Sequence, residues 1–145
     1  MEPEIRYRKI LIATDGSEPA LHAAKHAIYL AKGLGSAVLV LNVVDTGEAF
    51  HAGVHYAEDL AELEQSGAAA VAAVKTLCDE AGVPATTLVA RGTPQAAILR
   101  AAADEGADLI VLGTVGMSAL ERALLGSVSE HVLHQARCPV LLVRE

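Results

Sequence analysis

Five short runs dense in valine, isoleucine and leucine divide this chain, at residues 9–13, 37–43, 87–90, 109–112 and 140–143. Their hydrophobicity is near-continuous rather than alternating, as expected of strands covered on both faces. Between them lie longer stretches whose apolar residues recur at helical spacing. Strand–helix alternation along the whole chain predicts an α/β fold, a doubly wound parallel sheet with helices on both faces.

The helical stretches have recognisable ends. The first follows Ser17-Glu18-Pro19, with a hydroxyl to cap it and proline in its first turn, and is expected to run to about Lys32 and stop at Gly33. The second places Leu60, Leu63, Val71, Val74, Cys78 and Ala81 on one stripe and ends at Gly82-Val83-Pro84. The third begins at Thr93-Pro94 and ends near Gly106. The fourth follows Gly126-Ser127, carries Val128, His131, Val132 and Gln135, and stops before Cys138-Pro139. No repeat, low-complexity tract or linker interrupts them, so residues 1–145 read as a single domain of sufficient size to bury a core. The irregular stretch 45–56, DTGEAFHAGVHY, reads as a loop.

Composition narrows the function. Aromatic residues make up only 3% of the chain, too few for a sheet that stacks bases. The 11 basic against 18 acidic residues leave a formal charge of −7, which argues against nucleic acid or an anionic membrane as partner. A small anion stays open, because backbone amides bind phosphate without a side-chain cation. Cys78 and Cys138 show no metal-type spacing and read as free thiols in a reducing compartment. The segment MEPEIRYRK lacks the apolar core of a signal peptide, and no apolar run is long enough to span a bilayer. A cytoplasmic location is expected.

In an open α/β sheet, ligands bind beyond the carboxyl ends of the strands where the strand order reverses. Two strand ends carry suitable chemistry. The first strand ends Ala13-Thr14-Asp15-Gly16-Ser17, where Asp15 either accepts bonds from ribose hydroxyls or a metal, or simply makes the turn, a common role for aspartate. The fourth runs into Gly113-Thr114-Val115-Gly116-Met117-Ser118, and after SALERALL the chain returns at Gly126-Ser127-Val128-Ser129. Glycines here let a ligand approach the backbone or supply φ angles closed to other residues, and Gly126-Ser127 opens a helix whose free N–H groups and dipole suit an anion. The simpler reading is two glycine turns around a surface helix.

Gly113, two residues, Gly116, nine residues, Gly126-Ser127 resembles the G-2x-G-9x-G-[S/T] nucleotide signature of the universal stress protein family. ILIATDGSEPA is similar to that family's first strand and its aspartate loop, LNVVD to its second strand, and ARCPVLLV to its last. The resemblance covers almost the whole chain in order. It implies a Rossmann-like five-stranded sheet ordered 3-2-1-4-5 and an adenine nucleotide held across the first and fourth strand ends. By that likeness Ala13, Thr14 and Asp15 border the adenosine. Val43 offers backbone groups to the adenine, residues Gly113, Thr114, Val115, Gly116, Met117 and Ser118 wrap ribose and phosphates, and Gly126, Ser127, Val128 and Ser129 complete the phosphate site. It also implies a homodimer paired through the last strand, Val140–Val143, an edge that the charged tail Arg144-Glu145 would otherwise cover.

Val115 and Met117 stand where many ATP-binding relatives carry a basic or strongly polar residue. Each charge-assisted bond lost there removes about 1.5–3 kcal/mol, so AMP, ADP and cyclic AMP stay open beside ATP. Arg122 is the nearby cation in sequence; Arg91, at the start of the third helix, is a lesser candidate because it follows an expected edge strand. The expected function is that of a nucleotide-binding stress or regulatory protein. The alternatives are a slow ATPase using Asp15 with Mg2+, and a nucleotide-free interaction module. No GxxxxGK[ST] or GxGxxG is present, and Ser17, Ser127 and Ser129 have no evident His–Asp pair, so a P-loop, a dinucleotide site and a hydrolase triad lack support. HAGVH at 51–55 misses the HxGH spacing by one residue. His22/His26, His51/His55 and His131/His134 have metal-compatible spacing, but without a third ligand they read as solvated side chains.

Overall fold

A computed structural model of the chain describes residues 4–47, 55–114 and 126–144. Five strands and four helices alternate among these residues. The strands are β1 (Lys9–Ala13), β2 (Ala37–Asp45), β3 (Ala85–Gly92), β4 (Leu109–Gly113) and β5 (Val140–Val143). The helices are α1 (Glu18–Leu34), α2 (Tyr56–Ala81), α3 (Pro94–Glu105) and α4 (Ser127–Gln135). The strands form one parallel sheet in the order β3-β2-β1-β4-β5, as expected.

Alternate residues of the central strands feed two cores. Ile10, Ile12, Val38, Val40 and Val111 pack with the α1 and α2 residues Ala23, Ala24, Ala27, Val71, Val74 and Cys78. Leu11, Leu39, Leu41, Ile110 and Leu112 pack on the other face with Ile98, Ala101 and Ala102 of α3 and Val132 of α4. Because both faces are dry, β1, β2 and β4 read as unbroken apolar runs. The buried alanines Ala20, Ala23, Ala24, Ala27 and Ala31 let α1 lie close on the sheet, which accounts for much of the alanine content.

The structure departs from expectation in three regions. Helix α1 passes through Gly33 and stops at Gly35, whose φ of +70° supplies the left-handed residue that closes it. Strand β3 extends two residues beyond the apolar run on each side, and Thr86, Thr87 and Leu88 are exposed rather than covered. It is an edge strand, where polar residues face water and hydropathy stops marking the strand. The expected 45–56 loop shortens at both ends, since Asp45 closes β2 and Tyr56 opens α2. Residues 48–54 lie outside the described segments.

Candidate functional site

Strand β1 pairs with β2 on one side and β4 on the other, so the strand order reverses between β1 and β4. The chain beyond β1 is folded by successive side-chain-to-backbone bonds. The Thr14 N–H extends the ladder to Leu41 O at 2.9 Å. Thr14 Oγ1 then accepts the Gly16 N–H at 3.1 Å, Asp15 Oδ1 accepts the Ser17 N–H at 2.9 Å, and Ser17 Oγ caps α1 by accepting the Ala20 N–H at 3.3 Å. Gly16 sits at φ +82°, where a side chain would be strained, and a Cβ there would reach Ala70 Cβ at 3.4 Å. Asp15 is exposed and makes the turn expected of its type.

Behind this loop is a support that inspection of the sequence missed. Asn42, buried on β2, donates from Nδ2 to Thr14 O at 2.9 Å. Its carboxamide fits against Gly67 in the middle of α2. A Cβ on Gly67 would overlap Asn42 Oδ1 and come to 3.0 Å from Asn42 Cγ and 3.3 Å from Val89 Cγ1. Interior helical glycine costs about 1 kcal/mol relative to alanine, so its presence reflects close helix–strand approach. Both signals were available: a polar residue inside LVLNVV, and a lone glycine inside a long alanine-rich helix.

The end of β4 is joined to α4 by two bonds. The Gly126 N–H donates to Thr114 O at 2.7 Å, and Ser129 Oγ donates to Gly113 O at 2.8 Å. The Thr114 N–H reaches Val143 O of β5 at 3.2 Å. Gly113 and Gly126 therefore stand side by side in space, although twelve intervening positions separate them in sequence. Neither is a left-handed glycine: Gly126 has φ −65° and ψ 154°, and Gly113 is strand backbone. Neither position therefore needs glycine for its φ. Among the described residues no side chain caps α4, and the N–H groups of its first turn, including those of Ser127 and Val128, are directed beyond the sheet end. Ser129 is buried and its hydroxyl proton is taken by Gly113 O, which leaves its backbone N–H for that turn.

The structure thus brings Ala13, Thr14, Asp15, Gly113, Thr114, Gly126, Ser127, Val128 and Ser129 to one edge of the sheet, with Val43 on the neighbouring β2 opposite Ala90. Val115, Gly116, Met117 and Ser118, with Arg122, lie outside the described residues. Arg91 is engaged elsewhere, in an ion pair with Glu64 of α2. No group of three or more His, Cys, Asp or Glu side chains gathers as a metal centre among the described residues.

Both cysteines are free. Burial pushes the Cys78 thiol up, with Asp79 adding to the effect and Lys75 opposing it. Burial also raises Cys138, with Asp108 adding to the rise and a backbone hydrogen bond opposing it. Protonated at neutral pH, neither is set up as a nucleophile. A shallow groove of about 520 Å³ opens near α1's carboxyl end, lined by Ile5, Arg6, Tyr7, Arg8, Leu34 and Gly35. It lies at the amino end of the strands, opposite the site just described, and its Arg6 is paired with Glu4 at 2.8 Å.

The model of the universal stress protein family matches residues 6–144. A universal stress protein of Methanocaldococcus jannaschii, MJ0531, is 42% identical over 141 residues, covering 96% of this chain and 83% of the relative. Among solved structures, the hypothetical protein MJ0577 superposes with a TM-score of 0.87 at 31% identity, covering 97% of this chain and 98% of its own. A universal stress protein solved in complex with cAMP gives a TM-score of 0.72 at 25% identity, with 97% and 98% covered. An Arabidopsis thaliana family protein solved with AMP bound, 19% identical with a TM-score of 0.70 and 95% and 92% covered, shares the fold. No helix among the described residues is long and apolar enough to cross a membrane.

Proposed function

The chain belongs to the universal stress protein family, and from that premise we propose that it binds an adenine nucleotide at the β1/β4 ends as a regulatory or sensor protein of the stress response. The observation that carries this reading is the joining of Gly113-Thr114 to Gly126-Ser129 directly beside the Asp15 loop, at the point where the strand order reverses. That arrangement suits a ligand with a polar sugar and an anionic group. The exposed carboxylate of Asp15 faces ribose hydroxyls, and the uncapped first turn of α4 faces phosphate. Val115 and Met117 replace residues that could pair with phosphates, so AMP, ADP and cAMP stand beside ATP as the proposed ligands. The cAMP complex of a relative supports an adenine ligand. Mg2+ would come with the phosphates, because Asp15 is the single carboxylate in the loop and one of its oxygens already serves Ser17.

The test is to denature freshly purified protein, identify any released nucleotide by mass, and titrate the emptied protein with ATP, ADP, AMP and cAMP. Micromolar or tighter binding of at least one is expected. An empty site that stays empty at millimolar concentrations of all four would remove the proposal and favour a nucleotide-free interaction module. Hydrolysis well above background, lost in Asp15→Asn with binding kept, would turn the reading to an ATPase. We further propose a cytoplasmic homodimer paired through β5, the last strand in the sheet order, which sedimentation would detect as a doubled mass.

A further inference from the structure

We propose that His22 and His26, on the outer face of α1, form a two-ligand site for a divalent transition-metal ion. The two side chains are exposed, one turn apart, on a helix of 17 residues held at both ends by the Ser17 cap and Gly35. Their ring centroids lie 4.9 Å apart with the planes inclined at 76°.

That separation can be compared with what chelation requires. A metal–imidazole bond of about 2.0–2.1 Å, plus about 1.1 Å from nitrogen to ring centre, puts each centroid about 3.2 Å from the ion. Two such rings subtending 90°, as in square or octahedral coordination, have centroids about 4.5 Å apart, and at the tetrahedral angle about 5.2 Å apart. The observed spacing falls between these limits, so the two rings already stand at the separation a shared ion requires. The helix has already paid the entropy of bringing them together, which is the source of the chelate advantage.

The surroundings fit an exchangeable cation rather than a structural one. Glu18 stands one turn before His22 and Tyr29 follows His26 by three residues, both exposed, while Lys25 is the neighbouring positive charge. With two protein ligands, water completes the coordination shell. Neutral imidazoles and water select Cu2+, Ni2+ and Zn2+ over Mn2+ and Mg2+.

Untagged full-length protein titrated with Ni2+ by calorimetry tests the site. One Ni2+ per chain is expected to saturate below millimolar concentration, and His22→Ala or His26→Ala to weaken it by at least about tenfold. His131→Ala combined with His134→Ala, which removes the other described histidine pair, is expected to leave that affinity unchanged. Alanine is a strong helix former at exposed positions, so the circular dichroism of the variants should match the wild type. Ni2+ should raise the melting temperature of the wild type and not that of His26→Ala. Wild-type uptake that is absent at millimolar Ni2+, or unchanged in either single variant, overturns the proposal.

Discussion

The two ends of this sheet are built from the same strands yet differ in how their polar groups are used. At the amino end, the Asp108 carboxylate accepts the N–H groups of Arg8 at 2.7 Å and Lys9 at 3.0 Å, and Ser36 donates its hydroxyl to Tyr7 O. Helices α1, α2 and α3 arrive there and are each closed by a left-handed glycine, Gly35, Gly82 and Gly106. Both thiols lie at that end and stay protonated. At the carboxyl end, loop bonds hold Asp15, Gly113 and Gly126 in place, and no side chain among the described residues caps the first turn of α4. One end closes its donors inside the fold; the other holds donors open by means of supports one layer behind.

The largest expected effect tests whether those open donors bind. Gly126 has a backbone conformation available to any residue, so Gly126→Val carries no φ strain while placing a branched side chain at the start of α4, where the proposed phosphate would sit. Nucleotide affinity is expected to fall at least about a hundredfold, about 2.7 kcal/mol, with the melting temperature nearly unchanged. Unchanged affinity in this variant would detach the carboxyl end from ligand binding.

Next comes the support behind it. Gly67→Ala gains about 1 kcal/mol of helix propensity yet forces a methyl into Asn42, and overpacking of this kind costs about 1–3 kcal/mol. Net destabilisation of about 1 kcal/mol is expected by urea unfolding, together with weaker nucleotide binding as Asn42 releases Thr14 O. In the Asn42→Ala background the same substitution should become neutral or stabilising. A double-mutant cycle with no coupling would show that the glycine serves some other contact.

These supports mark the limit of what the chain discloses as text. Strands β1, β2 and β4 were legible because both of their faces are dry, whereas β3 was underestimated at both ends because an edge strand keeps threonine and arginine on its wet side. Gly33 and Gly35 are equivalent as sequence; the helix ends at the second because Ser36 and Ala37 must meet Tyr7 and Arg8 across the strand starts. In the site, Asp15 and the Gly126-Ser127 helix start follow from local residue types. The inward bond of Ser129 does not, since a hydroxyl chooses whichever acceptor the tertiary fold presents, here Gly113 O. Asn42 and Gly67 are 25 positions apart and acquire meaning only when α2 is laid on β2.

The amino end should respond in the opposite manner. Asp108→Ala removes a charged acceptor from two backbone donors, one of them on an exposed residue that water can re-solvate, and about 1 kcal/mol of stability should be lost. Nucleotide affinity should not change, because the carboxylate lies a full strand length from Asp15 and Gly126. A loss of affinity comparable to that of Gly126→Val would mean that the two ends are coupled through β1 and β4.

The smallest effect concerns the thiol in the last turn of α2. The folded state holds Cys78 above the ordinary thiol range, chiefly by burial, so at alkaline pH the unfolded chain gives up a proton that the folded chain retains. Stability from this source is complete below the unfolded thiol's pKa of about 8.5 and declines as pH rises beyond it. Cys138 is raised in the same direction, so Cys78→Ala should flatten the alkaline decline without abolishing it. The variant starts less stable at pH 7.5 because a filled core position is truncated, and the gap to wild type should narrow towards pH 9.5 in urea unfolding under reducing conditions. A gap that is constant across that range would mean the Cys78 thiol ionises as readily folded as unfolded, and that the amino end is wetter around α2 than its packing against Val74 and Val83 implies.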